Sequence, residues 1–124
     1  MTKKMLIVED EEDILELLSA IFADLGDYEI LCAGDGEEAL RMAREDNPDI
    51  ILLDILLPRM NGYDVCQAVK SDPTMSHVKV LAISGVAQKS NRQKAQEVGA
   101  DAFIAKPFDP VALVKKVEEL LKNT

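Results

Sequence analysis

Residues 50 to 54 read Ile50-Ile51-Leu52-Leu53-Asp54, four apolar side chains in succession and then an acid. Side chains of a strand alternate between the two faces of a sheet, so a strand apolar at every position is covered on both. Such a strand belongs in the middle of a parallel sheet with helices on either side. Working outward, Met5-Leu6-Ile7-Val8 and Val78 through Ile83 are nearly as apolar. Five runs in all read as strands: Lys4 to Val8, Glu29 to Ala33, Ile50 to Asp54, Val78 to Ser84 and Ala102 to Ala105. The second is more mixed, as an edge strand would be.

Between the strands lie helical patterns with identifiable ends. Ile14, Leu15, Leu18, Ile21, Phe22 and Leu25 share one helical face, and Gly26 follows as a C-cap. Asp35 and Glu38 have the spacing of a capping box ahead of a helix from Glu37 to Glu45. Asn61 and Asp64 have it ahead of Tyr63 to Lys70, which stops before Asp72-Pro73. Asp109-Pro110 puts a cap before a proline at the first helical position. Leu113, Val114, Val117, Leu120 and Leu121 give that last helix its apolar side. The fourth helix, about Lys89 to Val98 and ended by Gly99, carries only Ala95 and Val98 among polar neighbours. So narrow a stripe anchors a helix weakly, which makes it either a candidate for the moving part or simply an exposed helix. The alternation implies an α/β protein: a doubly wound, flavodoxin-like (βα)5 parallel sheet in the order 2-1-3-4-5.

At 124 residues the chain fits one domain, with no linker, repeat or second unit. Fourteen basic against 23 acidic residues leave a net charge of −9, which argues against a nucleic-acid partner. No apolar run is long enough to span a bilayer, and acids interrupt the N-terminal stretch before any secretory signal forms. Cys32 and Cys66 have neither metal-like nor redox-like spacing and read as free thiols in a reducing cytoplasm.

In this fold class ligands bind beyond the carboxyl ends of the strands. The first strand ends in Glu9-Asp10, the third in Asp54, the fourth in Ser84 and the fifth in Lys106. Acids gathered at one sheet edge repel one another unless a cation sits between them. Few, partly hydrated oxygen ligands suit Mg2+. A carboxylate is also a competent nucleophile toward phosphorus. The transferring group spreads charge over three oxygens, for which Mg2+, the Lys106 ammonium and the Ser84 hydroxyl would serve. Glu11, Glu12 and Asp13 read instead as first-turn acids favoured by the helix dipole, and His77 as a surface histidine.

With those residues in place, the chain resembles the receiver domain of two-component response regulators over essentially its whole length. The motifs that carry the likeness are Val8-Glu9-Asp10, the run Leu53-Asp54-Ile55-Leu56-Leu57-Pro58-Arg59-Met60-Asn61-Gly62, Ser84-Gly85 and Lys106-Pro107-Phe108. The resemblance implies Asp54 as phosphoacceptor and Asp10 with Asp54 as direct Mg2+ ligands. It adds the backbone carbonyl of Leu56 as a third ligand and Glu9 holding a coordinated water. It further implies a cis peptide at Lys106-Pro107 and a switch in which Ser84 moves toward the phosphoryl group while Phe103 fills the space. The donor would be a sensor histidine kinase or a histidine phosphotransfer protein. Output would pass to a downstream protein target through the face of the fourth helix, fifth strand and fifth helix, with Lys89, Arg92, Lys94, Phe103 and Ala105. Coupling would run through the loop Gly85 to Gln88. A cytoplasmic protein without an output domain, monomeric or a weak, phosphorylation-dependent dimer, is expected.

Some positions depart from the usual pattern. Glu9-Asp10 stands for the commoner Asp-Asp, Ser84 for Thr, and Phe103 for Tyr. Leu56 and Val86 offer no group to orient an attacking water, so slow loss of the phosphoryl group is expected. An aspartate-dependent phosphohydrolase would need an acid where Leu56 stands, and a substrate cap. A nucleotide or flavin carrier would need a glycine-rich phosphate loop where the acids follow the first strand.

Overall fold

The computed structural model describes residues 2–57, 60–85 and 89–122, with side chains left aside at 89–92. Five strands, β1 (Lys3–Val8), β2 (Tyr28–Ala33), β3 (Ile50–Asp54), β4 (Lys79–Ser84) and β5 (Ala102–Ala105), form one sheet. Its order is β2-β1-β3-β4-β5, with every pairing parallel. The helices are α1 (Glu12–Leu25), α2 (Gly36–Asp46), α3 (Gly62–Ser71), α4 (Lys89–Glu97) and α5 (Pro110–Lys122).

The alternation of side chains divides the core in two. Met5, Ile7, Ile50, Leu52, Leu81 and Ile83 face one way and meet Leu18 and Phe22 of α1 and Leu113 and Val117 of α5. Leu6, Val8, Ile51, Leu53 and Val80 face the other way, onto Ala39, Leu40 and Ala43 of α2 and Val65, Cys66 and Val69 of α3. All of β3 is buried, as a strand covered on both faces must be. Each large apolar side chain fully buried here contributes about 1.5–3 kcal/mol over its exposed state. That is what holds the strand ends, and the site on them, in register.

Helix ends follow the polar residues that punctuate the sequence. Asp35 accepts a hydrogen bond from the Glu38 N–H at 2.9 Å, and Asn61 from the Asp64 N–H at 3.0 Å. Gly26 closes α1 in the left-handed region at φ 76°. The Asp109 carboxylate accepts from the Val111 N–H at 3.1 Å.

Several boundaries differ from the sequence-based expectation. β1 and β2 each begin one residue earlier, where Lys3 pairs with Tyr28. β4 begins at Lys79, because the Val78 N–H is taken by the Met75 carbonyl after a short 3-10 turn, Pro73–Met75. α4 ends at Glu97, its last turn closed by Gly99 N–H to the Gln96 carbonyl. Leu25, expected on the core face of α1, is 44% exposed, and Leu17 is 50% exposed.

Candidate functional site

Parallel register brings the strand ends together. Val8 pairs with Leu53, so Glu9 and Asp54, each one residue further on, lie side by side. Asp54 in turn pairs with Ile83, and Ser84 with Ala105, which puts Lys106 just beyond β5 on the same edge. The Lys106 N–H donates to the Ser84 carbonyl at 2.7 Å, and the Lys106–Pro107 peptide is cis. Glu9, Asp54 and Ser84 are the buried polar or charged residues of the described core, while Asp10 is exposed.

Among the described residues, the Asp54 carboxylate is held by a backbone N–H and an ammonium. Its Oδ1 accepts from the Leu56 N–H at 3.1 Å, and its Oδ2 lies 3.4 Å from the Lys106 ammonium. The same ammonium makes a shorter contact, 2.9 Å, to Glu9 Oε1. Glu9 is only 2% exposed, and its second oxygen, Oε2, is buried with no hydrogen-bond partner. Burial pushes the Glu9 carboxyl up, to about 8, with Asp54 adding to the rise and Lys106 opposing it. Burial alone would lower the Lys106 ammonium, but Glu9 and Asp54 outweigh it and hold it above its ordinary value.

One ammonium thus faces an excess of carboxylate. Glu9, Asp10 and Asp54 can each offer an oxygen within 4.8 Å of the others. Hard oxygen donors at that spacing, one of them an orphaned buried carboxylate oxygen, fit a small divalent cation such as Mg2+. The donor set contains neither thiolate nor imidazole, which weighs against softer metals.

Phe103 is half-buried on β5, beside a small cluster of Ile55, Ala82 and Ala95 with Tyr63 and Ala100. Ala95 is the buried residue of α4 among those described, and Lys94 places its ammonium 4.7 Å from the Tyr63 ring centre. His77 is exposed and precedes the start of β4, whereas the site residue Ser84 ends that strand. Pro58, Arg59, Val86 and the loop positions up to Gln88 lie outside the described residues, as do the side chains of Lys89 and Arg92.

The sequence reading brought Glu9, Asp10, Asp54, Ser84 and Lys106 to one edge, and the structure places them there. It did not pair Glu9 with Lys106. Those residues are 97 positions apart, and only the strand register joins them. Near the site, Ile14 and Leu17 of α1 with Pro107, Phe108 and Pro110 line an apolar hollow of about 410 Å³ that Lys106 and Gly85 also border. Leu17 lies off the apolar face read from the sequence, so that pattern did not mark the hollow.

A family model for the response regulator receiver domain matches residues 5–118. Response regulator PleD of Caulobacter vibrioides is 41% identical over 123 residues, 98% of this chain and 27% of that protein. Among solved structures, the chemotaxis protein CheY4 of Vibrio cholerae superposes with a TM-score of 0.90 at 30% identity, covering 97% of this chain and 99% of that one. The receiver domain of sensor histidine kinase PA1611 from Pseudomonas aeruginosa PAO1, solved with a magnesium ion coordinated in its active site cleft, gives 0.90 at 25% identity. It covers 98% of this chain and 99% of that one. The chain spans half or less of the curated relatives it matches, between 27% and 50% of their length.

Proposed function

The chain belongs to the response regulator receiver domain family, and on that premise we propose that it is a phosphorylation-dependent switch with Asp54 as the phosphoacceptor. The observation that carries this reading is the group of Glu9, Asp10 and Asp54 at one sheet edge with Lys106 against two of them. A cation held by Asp10, Asp54 and the Leu56 carbonyl, with Glu9 behind a water, would supply counter-charge to the phosphoryl oxygens; Mg2+ suits that donor set.

An Asp54 oxygen attacks phosphorus, and the bond from phosphorus to the donor nitrogen breaks as the new one forms. The Leu56 N–H holds Asp54 Oδ1, which orients the carboxylate for attack. The Lys106 ammonium, already poised between Glu9 and Asp54, donates to one phosphoryl oxygen and the Ser84 hydroxyl to another. The donor is a phosphohistidine of a sensor histidine kinase or a histidine phosphotransfer protein. The apolar hollow beside Lys106 supports its docking there, because a donor must rest within reach of the acceptor. Movement of Ser84 and Phe103 then alters the face of α4, β5 and α5, which a downstream protein reads. In this role the chain assists only its own phosphorylation and dephosphorylation. No described helix is long and apolar enough to cross a membrane, in keeping with a cytoplasmic location.

Incubation with a small-molecule acyl phosphate and Mg2+ should add one phosphoryl group to the wild-type chain by intact mass. Asp54→Asn, or chelation of the cation, should abolish the gain. Undiminished uptake in Asp54→Asn would overturn the assignment.

A further inference from the structure

Two glycines open the helices that flank the acceptor loop, Gly36 at the start of α2 and Gly62 at the start of α3. Neither adopts a positive φ, so what they provide is room. A Cβ on Gly36 would lie 2.6 Å from the Met60 carbonyl oxygen, 2.8 Å from Met60 Cβ and 3.0 Å from a Val65 methyl. A Cβ on Gly62 would lie 2.6 Å from the Asp54 carbonyl oxygen and 2.6 Å from Ile55 Cα. Both helices therefore approach the loop backbone more closely than any other residue type allows.

That loop carries the chemistry. It leaves β3 at Asp54, where the Leu56 N–H holds the carboxylate, and it is closed where the Gly62 N–H donates to the Ile55 carbonyl at 2.8 Å. Met60 stands just before this closure, with Gly36 of α2 behind it. If Gly36 gains a side chain, either α2 retreats or the loop yields. α2 is fixed by buried Ala39, Leu40 and Ala43 and by its Asp35 cap. The Met60 side chain is only half-buried, so the loop is the side expected to yield. Displacement at Met60 passes through Asn61 and the bond from the Gly62 N–H to the Ile55 carbonyl, and so to Leu56 and Asp54.

We propose that Gly36 and Gly62 are positioning residues for the acceptor loop, setting where the Asp54 carboxylate and the Leu56 backbone stand relative to Glu9 and Asp10. This rests on the phosphoacceptor reading above. Gly36 is the informative one, because it belongs to another helix and touches none of the site's acids.

The test compares Gly36→Ala with Val117→Ala, a truncation in the opposite core layer that lowers stability without touching the loop. Mg2+ affinity is followed by titration, and phosphoryl uptake from an acyl phosphate by rate. Gly36→Ala should weaken Mg2+ binding about tenfold, the low end of what disturbed outer groups cost at metal sites, and slow uptake in step. Val117→Ala should keep wild-type affinity. Wild-type affinity in Gly36→Ala, or an equal loss in Val117→Ala, would overturn the proposal while leaving Asp54 as acceptor intact. A wild-type chain that binds no Mg2+ and takes up no phosphoryl group would instead overturn the function and the proposal together. If Gly36→Ala does not fold, amide NMR of the wild type decides. The Gly36 and Leu56 amides should shift together as Mg2+ is added, and an unmoved Gly36 amide would count against the role.

Discussion

Among the described residues, Asp54 is held by contacts of unlike kind, a backbone N–H from its own loop and an ammonium from the end of β5, two strands away on the same edge. The residue two positions on, Leu56, is 61% exposed and supplies that N–H but no polar side chain. On the proposed reading, the Leu56 side chain offers no group to orient a water that attacks a phosphorylated Asp54. Leu56→Asn should speed loss of the phosphoryl group, because its amide can position the attacking water; an equal or slower rate would reject the idea. Away from the site, burial pushes the Cys66 thiol up to about 11 from an ordinary value near 9, while Cys32 is exposed. Alkylation of the native protein at pH 8 should therefore label Cys32 and spare Cys66. The folded state keeps the Cys66 proton where the unfolded chain loses it, so this contribution to stability is full below about pH 9 and lost toward 11. Thermal melts should show that alkaline decline, and Cys66→Ala should lessen it. At this scale Asp54 and Lys106 were legible, because each is the polar residue ending an apolar strand. The Glu9–Lys106 contact was not, since no spacing within one element predicts a contact between β1 and β5.

Among the described residues, those of α4 bury the least. Ala95 is its buried residue among those described, and Lys94 leans on the Tyr63 ring of α3. α1 and α5, by contrast, bury Leu18, Phe22, Leu113 and Val117. Local opening is cheapest where buried apolar contact is least. Amide exchange across Gln93 to Phe103 should change when the acyl phosphate is present, more than in α1 or α5; unchanged exchange there would remove α4 from the readout. The narrow apolar stripe of α4 was visible in the sequence. Burial on α1 was less so, because a helix face wider than its contact with the sheet leaves part of it, Leu25, in water.

At the scale of the whole molecule, a five-stranded parallel sheet collects polar residues separated by most of the chain onto one edge. The order of the strands was legible because Met5–Val8, Ile50–Leu53 and Val78–Ile83 are apolar on both faces and must be central. The close approach of α2 and α3 to the acceptor loop was hidden, because a glycine chosen for room looks in sequence like one chosen for a turn. On the proposed function, the edge that gathers Glu9, Asp10 and Asp54 takes a phosphoryl group on Asp54 alone. An acyl phosphate on aspartate is reduced by borohydride to homoserine. Treating the phosphorylated protein this way and sequencing its peptides by mass spectrometry should place homoserine at position 54 and nowhere else. Homoserine at Asp10 or another acid, or none at all in protein that has gained a phosphoryl group, would contradict the account.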